Sequence, residues 1–324
     1  MRDENLRTMT FGPHDKVLIT GGSGFLGSHL CRRLVESGVE VHATSRLDRA
    51  QREHGIAWWQ ADLADVAVAR TLLSKIKPDV IYHLAGFVGA SPARELVLPT
   101  FHSLLTSTVT LLTAVSEIGC RRIVLTGSLT EPQSRQSEAI PGSPYAAAKW
   151  AGSVYGRMFH HLYRTPCVIV RPFMTYGPRQ DRRKIIPEVI LALLRGESPR
   201  LSSGRWEADW IYVGDVTEGL LKAGLVPRIE GETLDLGSGK LVSVRAVVEQ
   251  IAVLVGGDAK PLFGALPDRP LEEVRIADIA DTTARLGWEP RISLEDGLKK
   301  TVEWYRSQGQ TSVYPFAQDA PAVQ

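Results

Sequence analysis

Apolar residues along the chain alternate between short continuous runs and longer stretches with helical spacing. Residues 17–19 form a continuous run, residues 28–36 follow with apolar positions three and four apart, and residues 39–43 form a second run. Continuous runs are typical of buried parallel strands, and the wider spacing is typical of amphipathic helices. The pattern therefore predicts an α/β chain. Further strands are predicted at 56–60, 79–82, 122–126 and 233–236, and helices at 101–118, 145–163, 185–194, 242–255, 281–287 and 294–305.

The segment TGGSGFLG, residues 20–27, joins the first predicted strand to the first predicted helix. Gly21 allows a tight turn, Gly24 lets a bound pyrophosphate approach the main chain, and Gly27 lets the helix pack closely on its strand. The helix N-terminus offers N–H groups and a positive dipole end to phosphates. Glycines in a strand–turn–helix unit near the start of an α/β chain favour a dinucleotide-binding site.

The second predicted strand runs into Thr44, Ser45 and Arg46. An NAD-binding protein usually presents Asp or Glu at this distance from the glycine turn. Arg46 can pair with a 2′-phosphate and Ser45 can hydrogen-bond to it, so the sequence favours NADP(H), with NAD(H) possible. In the alternative, Arg46 lies in solvent at a strand end and Asp48 holds the adenosine ribose.

Strand ends in a doubly wound sheet face the ligand crevice, so the residues after the next two strands are candidates for cofactor contacts. Asp62 is expected to accept from the adenine amine and Leu63 to contact the ring. Asp62 has the alternative role of capping a helix that starts near Ala64. The fourth strand leads into three residues whose position suits the cofactor's diphosphate and ribose: Leu84, Ala85 and Gly86.

A tyrosine and a lysine four residues apart carry the candidate chemistry. Tyr145 and Lys149 open a predicted helix, and this spacing places the phenol and the ammonium on one face. We expect the ammonium of Lys149 to lower the pKa of the phenol and to hold the nicotinamide ribose. Ser128, at the end of the preceding strand, would fix the substrate oxygen. Thr130 is its rival as hydroxyl donor.

Composition narrows the class of protein. The 324 residues carry a formal net charge of +2, which gives no basic excess for nucleic acid or a membrane surface. No secretory signal is visible and no apolar run approaches membrane-spanning length, so a cytoplasmic location is expected. The 3 cysteines lack metal-ligand spacing. We expect reduced thiols and no metal site.

Nine segments together resemble an extended short-chain dehydrogenase/reductase of the NAD(P)-dependent sugar-nucleotide epimerase/dehydratase family. They are TGGSGFLG, ADL, HLAG, LTGSLT, YAAAK, RPFMTYGP, DWIYVGDV, LDLGSG and RLGWEPRISLEDGL, within residues 16–306. The resemblance implies a Rossmann doubly wound parallel sheet and a smaller C-terminal α/β domain that binds a nucleoside-diphosphate sugar. It also implies a homodimer built on the helices near 101–118 and 145–163.

The resemblance also divides the chain and assigns residues to the site. It places the Rossmann domain at 15–172 and mainly the substrate domain at 173–306, with about 211–250 returning in part to the Rossmann domain. The residues themselves predict a flexible leader at 1–14 and, because 307–324 lacks a period and contains Gly, Pro and Gln, a mobile tail there. Phe25 and Leu26 would join the glycines on the pyrophosphate, and Pro172 and Phe173 would back the nicotinamide. On the substrate side the resemblance points to Lys184, which precedes Ile-Pro, and to Arg269 in PDRP.

Departures from the family pattern bear on the reaction. Met174 stands where many members have Asn and Ala208 where many have Arg, so Arg205 or Arg179 would replace a missing phosphate contact.

Leu129 and Thr130 replace the acid pair of the 4,6-dehydratases, which disfavours dehydration. The Ser45-Arg46 pair favours NADPH-dependent reduction of the 4-keto group of a nucleotide-linked deoxysugar. The alternative is an NAD-dependent 4-epimerase similar to UDP-glucose 4-epimerase. A non-catalytic NADP-sensing regulator is disfavoured by the presence of the tyrosine–lysine pair.

Overall fold

The computed structural model describes residues 10–12, 14–47, 49, 52–89, 91–132, 139–268 and 274–308. The chain divides into two compact units. The first unit ends its main segment at Pro172 and also takes Thr217–Asp235 and Ala280–Trp288. The second unit comprises Phe173–Val216, Leu236–Ile279 and the residues from Glu289 onward. Most of the predicted leader and tail lies outside the described residues, although the last helix extends to Gln308 and so includes the first two residues of that tail.

An eight-stranded sheet forms the centre of the first unit. Its order is β10-β7-β6-β5-β1-β2-β4-β3, in which β4-β2-β1-β5-β6-β7 is the 3-2-1-4-5-6 order of a dinucleotide-binding sheet. The prediction of a doubly wound parallel sheet is confirmed. The strands are β1 (Lys16–Thr20), β2 (Glu40–Ser45), β3 (Arg52–Glu53), β4 (Ile56–Gln60), β5 (Val80–His83), β6 (Arg122–Thr126), β7 (Cys167–Pro172) and β10 (Thr233–Leu236).

Burial on both faces explains why the central strands are continuous apolar runs. Val17, Leu18 and Ile19 of β1 are fully buried, as are Ile81 of β5 and Ile123 of β6. Strand β1 pairs in parallel with β2 on one side and with β5 on the other. The chain order reverses at this point, so the carboxyl ends of β1 and β5 border the crevice where such folds bind dinucleotides.

Helices cover this sheet, and side-chain caps fix the start of two of them. Asp65 caps α2 by accepting from the N–H groups of Ala67 at 2.7 Å and Val68 at 3.3 Å. Ser143 caps α5 by accepting from Ala146 at 3.2 Å. The expectation that Asp62 caps α2 is wrong, because α2 begins at Val66 and its cap is Asp65. The helices are α1 (Phe25–Glu36), α2 (Val66–Ile76), α3 (Val97–Thr100), α4 (Ser107–Ile118), α5 (Pro144–Tyr163), α7 (Val213–Leu225) and α9 (Ile279–Leu286).

A π-helical segment, Phe101–Thr106, joins α3 to α4. Hydroxyl groups of the following turn donate to carbonyls of this segment: Ser107 to Ser103 at 2.7 Å and Thr108 to Leu104 at 2.6 Å.

By length and composition alone, the helical run Arg94–Ile118 could cross a membrane, contrary to the sequence expectation. Its Leu111 and Leu112 are fully buried in the core of the first unit with Leu72 of α2, so it is a core helix here.

The second unit is built on a three-stranded sheet in the order β11-β9-β8. Asp209 of β9 is 1 % exposed and accepts from Ser238 N at 2.5 Å, Gly239 N at 3.0 Å and Ala277 N at 3.0 Å. One buried carboxylate thus holds two loops of this unit to its sheet. The elements are β8 (Met174–Tyr176), β9 (Glu207–Tyr212), β11 (Leu241–Ser243), α6 (Ile185–Leu194), α8 (Val244–Val255) and α10 (Leu294–Gln308).

Candidate active site

The glycine turn leaves no room for side chains. Gly21 has φ +68°, and a Cβ added there would lie 2.8 Å from the Cα of Ala85. A Cβ on Gly27 would meet the carbonyl oxygen of Gly21 and would lie 2.8 Å from the Cα of Gly22. The turn between β1 and α1 therefore requires these glycines, and it lies directly against the residues that follow β5.

The N-terminus of α1 is open to a bound anion. Gly24 is the N-cap, is exposed, and supplies no side-chain cap, so the first N–H groups of Phe25 and Leu26 are not engaged by a cap. A glycine cradle leading into an uncapped helix N-terminus fits the pyrophosphate of a nicotinamide dinucleotide. These residues would hold the pyrophosphate through main-chain groups.

The end of β2 extends further than the pattern predicted, because Thr44 and Ser45 belong to the strand. Thr44 Oγ1 accepts from the N–H of Gly21 at 3.3 Å, and Ser45 Oγ accepts from the N–H of Leu47 at 3.1 Å. Arg46 is exposed next to them. Asp48, the alternative ribose ligand, lies outside the described residues.

Arg49 is a candidate that the sequence analysis missed. Its guanidinium carbon lies 4.9 Å from the ring centroid of Trp58, a cation–π contact that holds the side chain beside the end of β2. Trp58 pairs with Ala43 in the sheet register, and a Cβ on Gly22 would lie 3.4 Å from its ring. The i,i+3 spacing of Arg46 and Arg49 was visible in the sequence, but the partner tryptophan was not.

The residues after β4 and β5 lie where strand ends meet the crevice. Asp62 is exposed, and its Oδ1 accepts from the N–H of Ala64 at 3.0 Å in a local turn; Leu63 is buried. Gly86 has φ +147°, and its missing side chain leaves room for Leu104. Leu84 and Ala85 continue from β5, and the N–H of Ala85 donates to Thr20 Oγ1 at 3.1 Å.

A buried histidine ties these strand ends to the helix behind them. His83 Nδ1 lies 2.8 Å from Thr20 Oγ1, and its Nε2 lies 3.0 Å from Thr108 Oγ1. Because the Thr108 hydroxyl donates to Leu104, we assign the Nε2–H tautomer, with Thr20 donating to Nδ1. Burial, with a smaller effect of Lys149, lowers the pKa of His83 to about 3, so the ring is neutral and structural.

Ser128, Tyr145 and Lys149 come together in the first unit. Lys149 Nζ donates to the carbonyl of Thr126, the last residue of β6, at 2.7 Å. The side chain of Ser128 lies near the phenol of Tyr145 and favours its ionised form. The two rival hydroxyls bond to each other, with 2.9 Å between Ser128 Oγ and Thr130 Oγ1. A phenol, a hydroxyl pair and an ammonium can bind a substrate oxygen and move a proton.

The expectation that Lys149 lowers the pKa of the phenol is wrong for this structure. Burial raises the pKa of Tyr145, the side chain of Ser128 acts in the opposite direction, and the charge of Glu131 adds to the rise. Burial also lowers the pKa of Lys149 to about 8, against the effect of Glu131. Both residues are partly buried, and the loss of hydration disfavours the charged form of each side chain.

Glu131 is a second residue that the sequence analysis missed. It follows the LTGSLT segment directly, and its carboxylate accepts from the N–H of Ser128 at 2.7 Å. The side chain is 2 % exposed. Its position three residues after Ser128 was visible, but its burial was not.

The predicted substrate residues belong to the second unit. Arg179 has φ +68°, Lys184 is the N-cap of α6, and Arg205 precedes β9. Arg269 lies outside the described residues. Phe173 is buried in the second unit, and Pro172 ends β7 in the first. Among the described residues no group of three or more His, Cys, Asp or Glu side chains could hold a metal ion.

This fold and this serine–tyrosine–lysine set define the chain as an extended short-chain dehydrogenase/reductase. The model of the family described as NAD dependent epimerase/dehydratase matches residues 17–237. A UDP-glucose 4-epimerase of Mycolicibacterium smegmatis is 34 % identical over 91 % of this chain and 100 % of its own length. The chain belongs to the NAD-dependent epimerase/dehydratase family.

Solved structures of relatives agree with this assignment. The UDP-glucose 4-epimerase of Thermotoga maritima, determined with UDP-glucose, superposes with a TM-score of 0.82 at 25 % identity, covering 90 % of this chain and 99 % of its own. The UDP-glucose 4-epimerase of Thermus thermophilus, determined with NAD, gives a TM-score of 0.79 at 26 % identity, covering 92 % and 100 %.

Proposed function

We propose that this enzyme is an NAD-dependent nucleotide-sugar 4-epimerase. The observation that carries the proposal is the arrangement of Tyr145, Ser128 and Lys149 in the unit that also holds the glycine turn. It is supported by the full-length similarity to a UDP-glucose 4-epimerase and by the fold shared with epimerases determined with UDP-glucose or NAD. The reading that the sequence favoured, an NADPH-dependent 4-ketoreductase, becomes the second candidate.

The glycine turn and the N-terminus of α1 would hold a nicotinamide dinucleotide, which would supply the reversible hydride transfer at C4 of the sugar that inversion requires. Tyr145, as the phenolate, would accept the proton of the C4 hydroxyl in the first half of the reaction, and the phenol so formed would return it to the C4 oxygen in the second. Ser128, whose side chain lies near the Tyr145 phenol, would hold the C4 oxygen, and Thr130 would keep the Ser128 hydroxyl oriented. Lys149 would hold the nicotinamide ribose with donors that Thr126 leaves available, since an ammonium has three.

We assign dinucleotide binding to the first unit and nucleotide-sugar binding mainly to the second. Lys184 occupies the N-cap position of α6, but its side chain makes no capping hydrogen bond. The N–H groups at this helix N-terminus therefore suit a diphosphate. Arg179 and Arg205 would add positive charge for the same group, in place of the contacts that Met174 and Ala208 cannot make. Arg269 would be a fourth ligand.

Dehydration is disfavoured by the groups beside Ser128. The next two residues, Leu129 and Thr130, provide no carboxylate for removing water from C5 and C6 of a sugar. The nearest acid along the chain, Glu131, is buried and accepts from the N–H of Ser128 and the hydroxyl of Ser153. Its Oε1 accepts both hydrogen bonds and so holds the protein chain, and we exclude 4,6-dehydratase activity from the proposal.

The second candidate is an NADPH-dependent reductase of a 4-keto nucleotide sugar, with Tyr145 as the proton donor. The end of β2 favours it, because Ser45, Arg46 and Arg49 supply a hydroxyl and two guanidinium groups where a 2′-phosphate would lie. Burial also favours the neutral form of the Tyr145 phenol, which is the form that donates a proton.

The nucleotide carried by the purified protein distinguishes the two reactions. The protein is denatured and the released nucleotide is identified by chromatography. Stoichiometric NAD⁺ is expected for an epimerase, because the hydride never leaves the site between turnovers. NADP(H), or an empty site, would overturn the epimerase proposal and favour the reductase.

Turnover is then measured with UDP-glucose and NAD⁺, following formation of its C4 epimer. Tyr145→Phe is expected to lower kcat by at least about 100-fold while dinucleotide binding is retained, because only the acid–base hydroxyl is removed. Tyr155→Phe, which changes an exposed tyrosine of the same helix, is the matched control. A fully active Tyr145→Phe variant would exclude the tyrosine mechanism.

A further inference from the structure

Glu131 is a buried carboxylate that the proposed reaction does not use. It is 2 % exposed and lies in the turn that also carries Ser128. Its Oε1 accepts from the N–H of Ser128 at 2.7 Å and from the hydroxyl of Ser153 at 2.9 Å, and its own N–H donates to the carbonyl of Ser128 at 3.1 Å. A buried ionisable group is costly unless its surroundings repay the lost hydration.

Ser153 ties this carboxylate to the helix of the catalytic pair. Tyr145, Lys149 and Ser153 follow one another at intervals of four residues in α5, so they occupy one face of the helix. Glu131 therefore joins the Ser128 turn to the same face that presents the phenol and the ammonium. Ser153 is 3 % exposed, so this connection is shielded from water.

The surrounding chain leaves space for the carboxylate. A Cβ on Gly127 would lie 2.5 Å from Glu131 Oε1, so any larger residue there would displace it. The neighbouring cation on β7, Arg171, forms an ion pair of 2.7 Å with Asp235 of β10. The charge of Arg171 therefore has a carboxylate of its own, and Glu131 is not needed to neutralise it.

We propose that Glu131 is a positioning residue of the catalytic set, whose carboxylate fixes the Ser128 turn on α5 and supplies the negative charge that faces Lys149 and Tyr145. The role rests on the proposed function of these two residues. Glu131 contacts neither sugar nor dinucleotide in this role; it acts through the groups that do.

The charged groups around this cluster define the expected direction of its effect. Lys149 and Tyr145 face Glu131 from α5, Arg171 faces it from β7, and His83 of β5 faces Lys149. The negative charge of Glu131 stabilises the ammonium of Lys149, whose pKa burial lowers to about 8. Removing that charge lowers this pKa further, so the ammonium is lost at a lower pH and the alkaline limb of activity moves the same way.

The test measures the titration of Lys149 in the intact protein with no sugar present. Lysine labelled with ¹³C at Cε is followed by NMR across the neutral and alkaline range, and the Lys149 signal is assigned by its loss in Lys149→Arg. In Glu131→Gln, which keeps the side-chain shape, we expect the midpoint to fall by about one pH unit. Glu131→Asp and Ser153→Ala retain the charge, and the midpoint should stay within about 0.3 units of that of the parent chain.

An unchanged midpoint in Glu131→Gln, or an equal fall in Ser153→Ala, would overturn the electrostatic role. A pH profile of kcat tests the positioning role: Ser153→Ala should lower kcat without moving the alkaline limb, and an unchanged kcat would contradict the proposal. If Glu131→Gln does not fold, the kcat of Ser153→Ala still tests the positioning role. Because the NMR titration needs no substrate, it remains valid if the assignment as an epimerase fails.

Discussion

Burial dominates the chemistry of the two central side chains. Tyr145 and Lys149 are partly buried, and the loss of hydration shifts the pKa of the phenol upward and that of the ammonium downward to about 8. Lys149 therefore keeps its charge only below about pH 8, and the ribose-binding role assigned to it applies in that range. The charge of the Glu131 carboxylate raises the pKa of Lys149 and so helps to keep its ammonium protonated.

Arg49 is where cofactor selectivity can be tested at the level of one residue. If the enzyme uses NADP(H), Arg49→Ala should weaken its binding about tenfold, or about 1.4 kcal/mol, and leave NAD(H) binding unchanged. The reason is that only the 2′-phosphate carries charge for the guanidinium held over Trp58. Titration calorimetry with both nucleotides measures the difference.

The matched control for this change is Arg70→Ala, which removes an exposed arginine that pairs with Glu117 at 2.7 Å on the surface. It should affect neither nucleotide. If Arg49→Ala weakens the binding of NAD(H) and of NADP(H) equally, the side chain supports the end of β2 and does not bind the 2′-phosphate.

At the level of elements, the turn between β1 and α1 tolerates the least change. In Gly27→Ala the new methyl group would meet the carbonyl of Gly21 and the main chain of Gly22, so α1 must move away from its strand. We expect a loss of about 1–3 kcal/mol in the free energy of unfolding and weaker dinucleotide binding. Chemical denaturation and a binding titration measure both effects.

Gly142→Ala is the control for this prediction, because a Cβ at Gly142 would meet no atom within 4 Å. It should leave stability and binding close to those of the parent chain. Equal effects of the two substitutions would mean that the close approach of α1 to β1 is not what the turn requires.

Most of the sheet could be predicted because continuous apolar runs and buried parallel strands coincide. Strands 56–60 and 233–236 and helix 185–194 have the predicted bounds. The π-helical segment 101–106 could not be predicted, since its apolar spacing is that of an ordinary helix and the backbone pairing that defines it leaves no mark on the side-chain pattern. The cap of α2 was misassigned because Asp62 and Asp65 both precede the same apolar run.

Site residues whose spacing in the sequence is short could be predicted, and those whose role depends on burial or on a distant partner were missed. The spacing of Tyr145 and Lys149 follows from helix geometry alone. Glu131 is recognised as part of the site by its hydrogen bond from Ser153, 22 residues away in the sequence. Arg49 is recognised by its contact with Trp58 of β4. The direction of the Tyr145 pKa also depends on burial, which a sequence pattern does not show.

At the scale of the whole molecule, the first unit exposes an apolar surface on its helices. Leu98 is 65 % exposed and Phe101 46 %, and α5, which contacts this run, exposes Tyr155 and Tyr163. Exposed apolar side chains on neighbouring helices, where they form a patch, usually mark an interface. We propose that a second copy of the chain covers this surface in a homodimer, as the family resemblance implies.

A charged pair of substitutions on that surface tests the dimer. Leu98→Asp combined with Phe101→Asp should give a monomer of 35.6 kDa in sedimentation equilibrium, where the parent chain should give twice that mass. The two aspartates would be desolvated without partners on dimerisation, which costs more than the apolar contact gains.

Val253→Asp, on an 83 % exposed valine of α8 in the second unit, should leave the mass unchanged. A parent chain that sediments as a monomer would exclude the dimer. A doubly substituted chain that remains dimeric would place the interface on another surface.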